Sequence, residues 1–111
     1  ALALSVKKLD AAETRGIKRA LGDAAYNLPV SSIKSAIGET LGPGGLFNMA
    51  AGLLAIRDGI VPPTINYRYP DDDCDLDYVP NNARGKKVDI VLSNSFSWGG
   101  IYNSVVLRRY E

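Results

Sequence analysis

The sequence predicts an α/β fold, and three observations indicate it. Helical and extended patterns alternate along the first half of the chain, which is the order typical of α/β proteins. Two β-branched, apolar runs near the end of the chain flank an aromatic, glycine-rich turn and predict a hairpin. The second predicted helix is apolar on nearly every side, so it needs more covering elements than 111 residues supply. We therefore expect the fold to be incomplete without an amino-terminal half or a partner chain.

The first helix is predicted over residues 11–21. Asp10 and Glu13 have the spacing of a capping box, with Asp in place of Ser or Thr. Gly22 follows the last residue of the pattern and is expected to end the helix. Residues 28–33 then predict a short strand.

The second helix is predicted over residues 46–57, after a glycine-rich loop at residues 38–45. Asp58 and Gly59 are expected to end it. Backbone N–H groups of such a loop can bind an anion, but no Gly-Lys-Ser/Thr follows. Close packing of the backbone explains these glycines better than a nucleotide site.

The rest of the chain is predicted to be extended or irregular. Two consecutive prolines keep residues 61–65 out of the helical region. Residues 67–84 form a long polar loop. Strands are predicted over residues 88–93 and 104–109, with a tight turn at residues 94–100 between them.

Composition excludes several classes of function. The chain has no histidine, so it does not by itself supply histidine-dependent catalysis. Its net charge is +1 and its lysines and arginines never exceed two in a row, which argues against nucleic acid as a partner. No run approaches the ~20 apolar residues that span a bilayer. A single cysteine fits a reducing cytoplasm, and the length fits one domain, residues 1–111.

The first residues are apolar and begin abruptly, as if a buried strand had been cut at its end. A frayed terminus is more often polar. We therefore expect this chain to be part of something longer, or a piece released by cleavage just before Ala1.

An acidic stretch at residues 71–77 resembles a calcium-binding loop in its density of aspartates. An EF-hand needs glycine at the sixth position and glutamate at the twelfth, where this chain has Leu76 and Asn82. A solvated acidic loop is therefore expected, with no metal and no cofactor. Cys74 lies among these carboxylates, which disfavour the thiolate that a nucleophile requires.

Lys34 and Glu39 lie five residues apart, beside the glycine-rich loop. This spacing fits an acid/base pair, and it fits a structural ion pair at least as well. The residues alone leave both interpretations open.

Four segments, in the same order, closely resemble the carboxy-terminal half of β-ketoacyl synthases in the thiolase superfamily. They are residues 30–38 (VSSIKSAIG), 55–66 (AIRDGIVPPTIN), 74–80 (CDLDYVP) and 94–100 (NSFSWGG). The resemblance covers essentially the whole chain. It implies the carboxy-terminal half of a layered αβαβα fold.

The departures from the family pattern concern catalysis. Active members use a cysteine from their amino-terminal half and two histidines from their carboxy-terminal half. When Asp10 and Glu13 are aligned on the family's helix start, Leu2 replaces the first histidine, and Glu39 replaces the second. Lys34 of the same motif is kept. The resemblance therefore implies a degenerate site, with no catalytic residue in this chain.

A ketosynthase fold without its catalytic groups resembles the chain-length factor of type II polyketide synthases. Such a subunit pairs with an active ketosynthase, which condenses malonyl units bound to acyl carrier protein, and helps fix how many are added. In the family the second aromatic of the turn gates the acyl pocket. Here Trp98 takes that place, beside Phe96, Gly99 and Gly100, and Ser97 replaces a glycine. We expect a stiffer, more closed acyl pocket.

Two alternatives remain. One is a split β-ketoacyl synthase with altered residues, in which Glu39 acts as acid or base after burial raises its pKa. The other is a scaffold that binds carrier protein without influencing chain length. A cysteine at the nucleophile position of the absent half favours the split enzyme, and a non-nucleophile favours the chain-length factor.

Overall fold

A computed structural model describes residues 1, 3–97 and 99–110. Leu2, Trp98 and Glu111 lie outside the described residues. The elements, in chain order, are α1 (Lys7–Leu21), a 3-10 helix (Gly22–Asn27), α2 (Lys34–Ile37), α3 (Gly44–Asp58), β1 (Ile60–Val61), β2 (Arg84–Gly85), β3 (Ile90–Phe96) and β4 (Tyr102–Arg108).

The strands form two small antiparallel sheets. β3 and β4 pair in register from Ile90 with Arg108 to Phe96 with Tyr102, and β1 pairs with β2. The predicted hairpin is thus confirmed, and its strands run further toward the turn than the residue pattern predicts. The hairpin and α3, which packs against it, form the largest layer contact of the chain.

The predicted start of α1 is wrong. The helix begins at Lys7, three residues before Asp10, and its N-cap residue Val6 makes no side-chain cap. Asp10 lies inside the helix, where its carboxylate accepts a hydrogen bond from the Leu4 N–H over 3.0 Å. The carboxylate therefore fixes the chain that enters the helix and does not cap it. The predicted end is confirmed, because Gly22 ends α1 at φ 57°.

The predicted strand at residues 28–33 is also wrong. The chain after α1 forms a 3-10 turn, then runs extended and enters the short helix α2. Val30 donates its N–H to the Asp77 carbonyl over 2.7 Å, which is a loop contact and not a sheet ladder. An extended segment becomes a strand only when a neighbouring strand pairs with it.

Helix α3 is confirmed, and it starts two residues earlier than predicted. Gly59, at φ 66°, ends it in the left-handed region. A Cβ atom at Gly52 would lie 2.9 Å from Cγ1 of Val91, so only glycine allows this approach to β3. The opposite side of α3 carries large apolar side chains that are about half to two-thirds exposed: Leu46, Phe47, Leu53 and Leu54.

The core is small for the apolar content of the chain. Its buried apolar residues are mostly small ones: Ala11, Ala25, Ala55, Ile56, Val61, Leu76 and Val79. No helix among the described residues is long and apolar enough to cross a membrane.

Candidate functional site

A polar cavity of about 630 Å³ brings together two of the residues singled out from the sequence, Lys34 and Glu39. Its walls come from the start of the chain, from residues 32–39 and from the loop at residues 64–78. We call it the polar cavity.

Lys34 and Glu39 form an ion pair in its wall. Nζ of Lys34 lies 2.6 Å from Oε2 of Glu39, and the other oxygen, Oε1, accepts a hydrogen bond from the Leu41 N–H over 2.8 Å. The Lys34 side chain is only 11% exposed, against 33% for Glu39. Gly38, at φ 81°, reverses the chain between them and directs the carboxylate back toward α2. Of the two interpretations left open by spacing, the structure shows the ion pair.

The electrostatics of this pair keep Glu39 ionised. The hydrogen bond from the Lys34 ammonium lowers the pKa of the Glu39 carboxyl below its ordinary value, with a smaller contribution from the Leu41 N–H. Partial burial opposes this shift without reversing it. A general acid needs the opposite shift, toward neutral pH. The geometry therefore disfavours Glu39 as an acid or base.

The segment that carries the other predicted degenerate position reaches the same cavity. Leu2 itself lies outside the described residues, but its neighbours Ala1 and Ala3 both line the polar cavity. The Ala1 nitrogen donates to the Ser31 carbonyl over 2.7 Å, which ties this segment to the one leading into α2.

Two further residues of this wall lie in the family-like segments 30–38 and 74–80, but the sequence predicts no role for either. Ser32 is 2% exposed, and its hydroxyl has no hydrogen-bond partner among the described residues. The Tyr78 hydroxyl lies 2.6 Å from Oγ1 of Thr14, and burial raises the pKa of Tyr78 to about 12. Tyr78 also stacks on Tyr67, with ring centroids 6.3 Å apart. Such contacts join residues far apart in the chain, so no local pattern announces them.

The described residues of the aromatic turn do not line the polar cavity. Phe96 packs against Tyr102 across the hairpin, with ring centroids 5.5 Å apart, in a separate groove of about 380 Å³ beside α1. Gly99 and Gly100 are exposed, and Gly100 has φ 79°, which favours glycine. Trp98 falls outside the described residues, so the prediction of a closed acyl gate remains a prediction.

The acidic loop at residues 71–77 is tied to basic side chains on other elements. Three of its carboxylates are ion-paired: Asp71 with Lys7 (3.2 Å), Asp75 with Lys18 (2.7 Å), and Asp77 with Arg84. Within the described ranges, no three His, Cys, Asp or Glu side chains converge as a metal site would require. Cys74 has a free thiol.

Comparison with protein families gives a match over residues 1–68 to the β-ketoacyl synthase, C-terminal domain. Among curated relatives, the tetracenomycin polyketide synthase ketoacyl synthase alpha subunit of Streptomyces glaucescens is 54% identical over 100 residues, 90% of this chain and 24% of the relative. The 3-oxoacyl-[acyl-carrier-protein] synthase 2 of Coxiella burnetii is 50% identical over 105 residues, 95% of this chain and 25% of the relative. The chain thus spans about a quarter of the length of these relatives.

Two solved structures share the fold. One is described as a type II PKS acyl-carrier protein in complex with its ketosynthase bound to the hexaketide (TM-score 0.86, 37% identity, 89% of this chain and 24% of that chain). The other is the ishigamide ketosynthase/chain length factor (TM-score 0.85, 36% identity, 91% of this chain and 25% of that chain). The predicted thiolase-like α/β fold is therefore confirmed, and the chain belongs to the β-ketoacyl synthase family, as a part of its carboxy-terminal domain.

Proposed function

We propose that this domain belongs to a non-catalytic ketosynthase-like subunit, a chain-length factor. In this proposal the subunit pairs with an active ketosynthase and helps set chain length while that partner condenses malonyl units held by acyl carrier protein. The single observation that carries the proposal is the 2.6 Å ion pair between Glu39 and Lys34, at the place of the family's second histidine.

The physical reason lies in the charge that develops during condensation. The family's histidines donate hydrogen bonds to the thioester oxygen and to the enolate that forms as carbon dioxide leaves. Losing one such donor costs about 10²–10³ in rate. An ionised carboxylate has no proton to donate, and it also repels the developing negative charge. Glu39 is therefore worse for this chemistry than a neutral replacement.

The similar proteins do not distinguish a catalytic from a non-catalytic subunit, so this distinction depends on individual residues. The curated relatives named above are ketoacyl synthases and not chain-length factors, although one structural neighbour is a ketosynthase/chain length factor pair. Overall likeness therefore supports a ketosynthase-like subunit, and Glu39 supports the non-catalytic kind. Leu2 at the first histidine position adds to this, because leucine has no hydrogen-bond donor in its side chain.

We also propose that an amino-terminal half of the same subunit completes the fold. A second cavity, of about 330 Å³, lies between the extended residues 28–31 and β3, and we call it the slot. Helix α1 contributes Ile17 and Leu21 to its lining, and α3 contributes Ala51 and Ala55. Ala1 lines it too, so polypeptide that runs into Ala1 would reach it directly.

The backbone of β3 supports this proposal. Arg109 donates its N–H to the Asp89 carbonyl (2.8 Å), and Ser97 donates to Ile101 (2.9 Å). In an antiparallel pair, alternate residues point their backbone groups to opposite edges. Four residues of β3 point theirs away from β4, and three of them, Ile90, Leu92 and Asn94, line the slot, while Phe96 does not. The Asn94 carbonyl already accepts a hydrogen bond from Asn48 Nδ2 over 3.3 Å. In the described part of the chain no strand lies beside this edge, so a strand from the absent half would supply hydrogen bonds to Ile90 and Leu92.

Several assignments stay proposals of the same kind. We propose that residues 1–111 act as one domain, that the turn with Phe96, Trp98, Gly99 and Gly100 gates an acyl tunnel, and that the subunit works in the cytoplasm. Acyl carrier protein is a proposed partner, and the neighbour in complex with its own carrier protein supports this.

The test compares the full-length polypeptide alone with the same polypeptide joined to an active ketosynthase. Both are supplied with malonyl-loaded acyl carrier protein, and products are measured by mass spectrometry. We expect no condensation by the polypeptide alone and a defined chain length from the pair. Condensation by the polypeptide alone refutes the proposal and favours the altered enzyme.

A matched pair of variants then tests the influence on chain length. Trp98→Ala, at the proposed gate, is expected to shift the product distribution of the pair. Tyr110→Ala, at a side chain that is 97% exposed and lines none of the three cavities described above, serves as the control and should leave it unchanged. An unchanged product with Trp98→Ala contradicts the gate.

A further inference from the structure

The wall of the polar cavity contains a binding site for a carboxylate, and Glu39 fills it. Two donors hold this group at different oxygens: Lys34 Nζ lies 2.6 Å from Oε2, and the Leu41 N–H lies 2.8 Å from Oε1. A charged donor and a backbone N–H together make a strong and oriented carboxylate site. The chain therefore carries both the anion site and its occupant.

The lysine in this site depends on its occupant. The Lys34 side chain is only 11% exposed, and a largely buried charge that loses its partner is unfavourable. If the Glu39 carboxylate were removed, Lys34 would keep its electrostatic interaction with Asp10, which lines the same cavity, and a small anion that reaches the cavity would take the place of Glu39. The cavity, at about 630 Å³, falls within the size range of small-molecule sites.

We propose that Glu39 is a specificity-determining residue, which excludes malonyl-type carboxylates from this subunit by occupying the site that would bind them. This inference rests on the proposed function, in which only the partner ketosynthase consumes malonyl groups. Neutral acyl chains carry no carboxylate and do not compete for Lys34. The subunit can therefore line a tunnel for the growing chain without holding the extender unit.

The ionisation of Glu39 supports this exclusion. The Lys34 ammonium lowers the pKa of the Glu39 carboxyl, so the group remains charged at neutral pH. A second carboxylate that approached Lys34 would meet this negative charge at close range, and like charges repel strongly in a partly desolvated site. Exclusion is thus both steric and electrostatic.

The test measures malonate binding by calorimetry at constant ionic strength, with the full-length polypeptide. We expect Glu39→Ala to bind malonate about 10- to 100-fold more tightly than the unchanged polypeptide, the range set by a hydrogen bond to a charged group. Malonamide, which has the same shape without the charge, should show no such gain.

Two controls separate this site from a general effect of charge. Asp75→Ala also removes a carboxylate paired with a lysine, since Lys18 lies 2.7 Å away, but that pair lies outside the polar cavity's donor site. It should give no gain in malonate affinity. The double variant Lys34→Met with Glu39→Ala should lose the gain, because the ammonium is gone.

If Glu39→Ala does not fold, Glu39→Gln provides the same test. Its amide is neutral but fills part of the site, so we expect a gain near the lower end, about tenfold. Unchanged malonate affinity in the folded variant, or an equal gain in Asp75→Ala, overturns the inference. Because binding needs no condensation, this result is separate from the test of the proposed function, which condensation by the polypeptide alone would refute.

Discussion

The polar cavity and the slot both touch the start of the chain, yet they differ in how far this chain completes them. In the polar cavity, the Lys34 and Glu39 charges are already paired with each other. In the slot, the backbone edge of β3 has no neighbouring strand among the described residues. The ion pair of the polar cavity thus forms between residues close in sequence, while the edge of β3 needs a strand from elsewhere to pair with.

This difference teaches which properties one part of a ketosynthase-like fold retains by itself. An ion pair five residues apart forms when one turn brings its members together, here at Gly38. A sheet requires strands from distant parts of the polypeptide. The ion pair can therefore be interpreted from this chain alone, while the stability of the fold has to be measured in the full-length polypeptide.

The largest predicted effect comes from placing a charge on the exposed apolar side of α3, which tests whether other polypeptide covers the apolar surfaces of this domain. Leu53 is 54% exposed in this chain, and we expect the absent half to bury it. In the full-length polypeptide, Leu53→Asp should lower the free energy of unfolding by more than about 3 kcal/mol, because an unpaired charge would be buried. Denaturant unfolding measures this.

The control for that variant is Tyr110→Asp, at a side chain that is 97% exposed. It should change the free energy of unfolding by less than about 0.5 kcal/mol, as surface substitutions usually do. Equal, small effects of both variants would mean that the absent half does not cover α3.

A second prediction tests the layer that is already complete, α3 on β3. Gly52→Ala places a Cβ atom 2.9 Å from Cγ1 of Val91, a branched side chain with little room to move. We expect a loss of about 1–3 kcal/mol in the free energy of unfolding, the usual range for overpacking. Gly16→Ala is the matched control, since a Cβ there meets nothing within 4 Å.

The control should raise stability by up to about 1 kcal/mol, because alanine favours a helix over glycine. Thermal unfolding of the two variants side by side distinguishes them. Similar changes in both would show that the approach of α3 to β3 is not tight.

The smallest predicted effect is the pH dependence of the Lys34–Glu39 pair. The folded-state pKa of Glu39 lies below its ordinary value of 4.5, so its contribution is present above that pH. It is lost as the pH falls through the lower folded-state pKa. With Glu39 one-third exposed, we expect about 1 kcal/mol.

Urea unfolding of the unchanged polypeptide and of Glu39→Gln between neutral and acid pH measures this contribution. The difference between them should shrink as the pH falls below 4.5. A difference that is constant with pH would show that the charge of Glu39 contributes nothing.

Local signals predicted the ends of the elements better than their partners. Gly22 and Gly59 end α1 and α3 as expected, because a left-handed or otherwise positive φ favours glycine. The prediction that Asp10 caps α1 is wrong, because the same spacing also occurs when the carboxylate lies inside the helix. There it accepts a hydrogen bond from the Leu4 N–H. The prediction of a strand at residues 28–33 is wrong, because a strand forms only beside a neighbouring strand and the described residues supply none there.

The site shows the same limit. The spacing of Lys34 and Glu39 predicts that the two residues lie close together, but it does not give the direction of their side chains. An acid/base pair and a structural ion pair therefore fit the sequence equally well, and the structure shows the ion pair. The buried hydroxyl of Ser32 and the contact of Thr14 with Tyr78 depend on the fold. No sequence pattern predicts them.

The edge of β3 that no described strand pairs with also determines how this domain behaves when it is produced alone. An exposed strand edge is a template for pairing with another molecule, and lysine or proline within the strand is a common protection. Residues 90–96 contain neither, and Ile90 is well exposed beside that edge. Expressed with nothing to cover this edge, the domain should aggregate through intermolecular β-sheet, so correct folding would depend on polypeptide that covers the edge during synthesis.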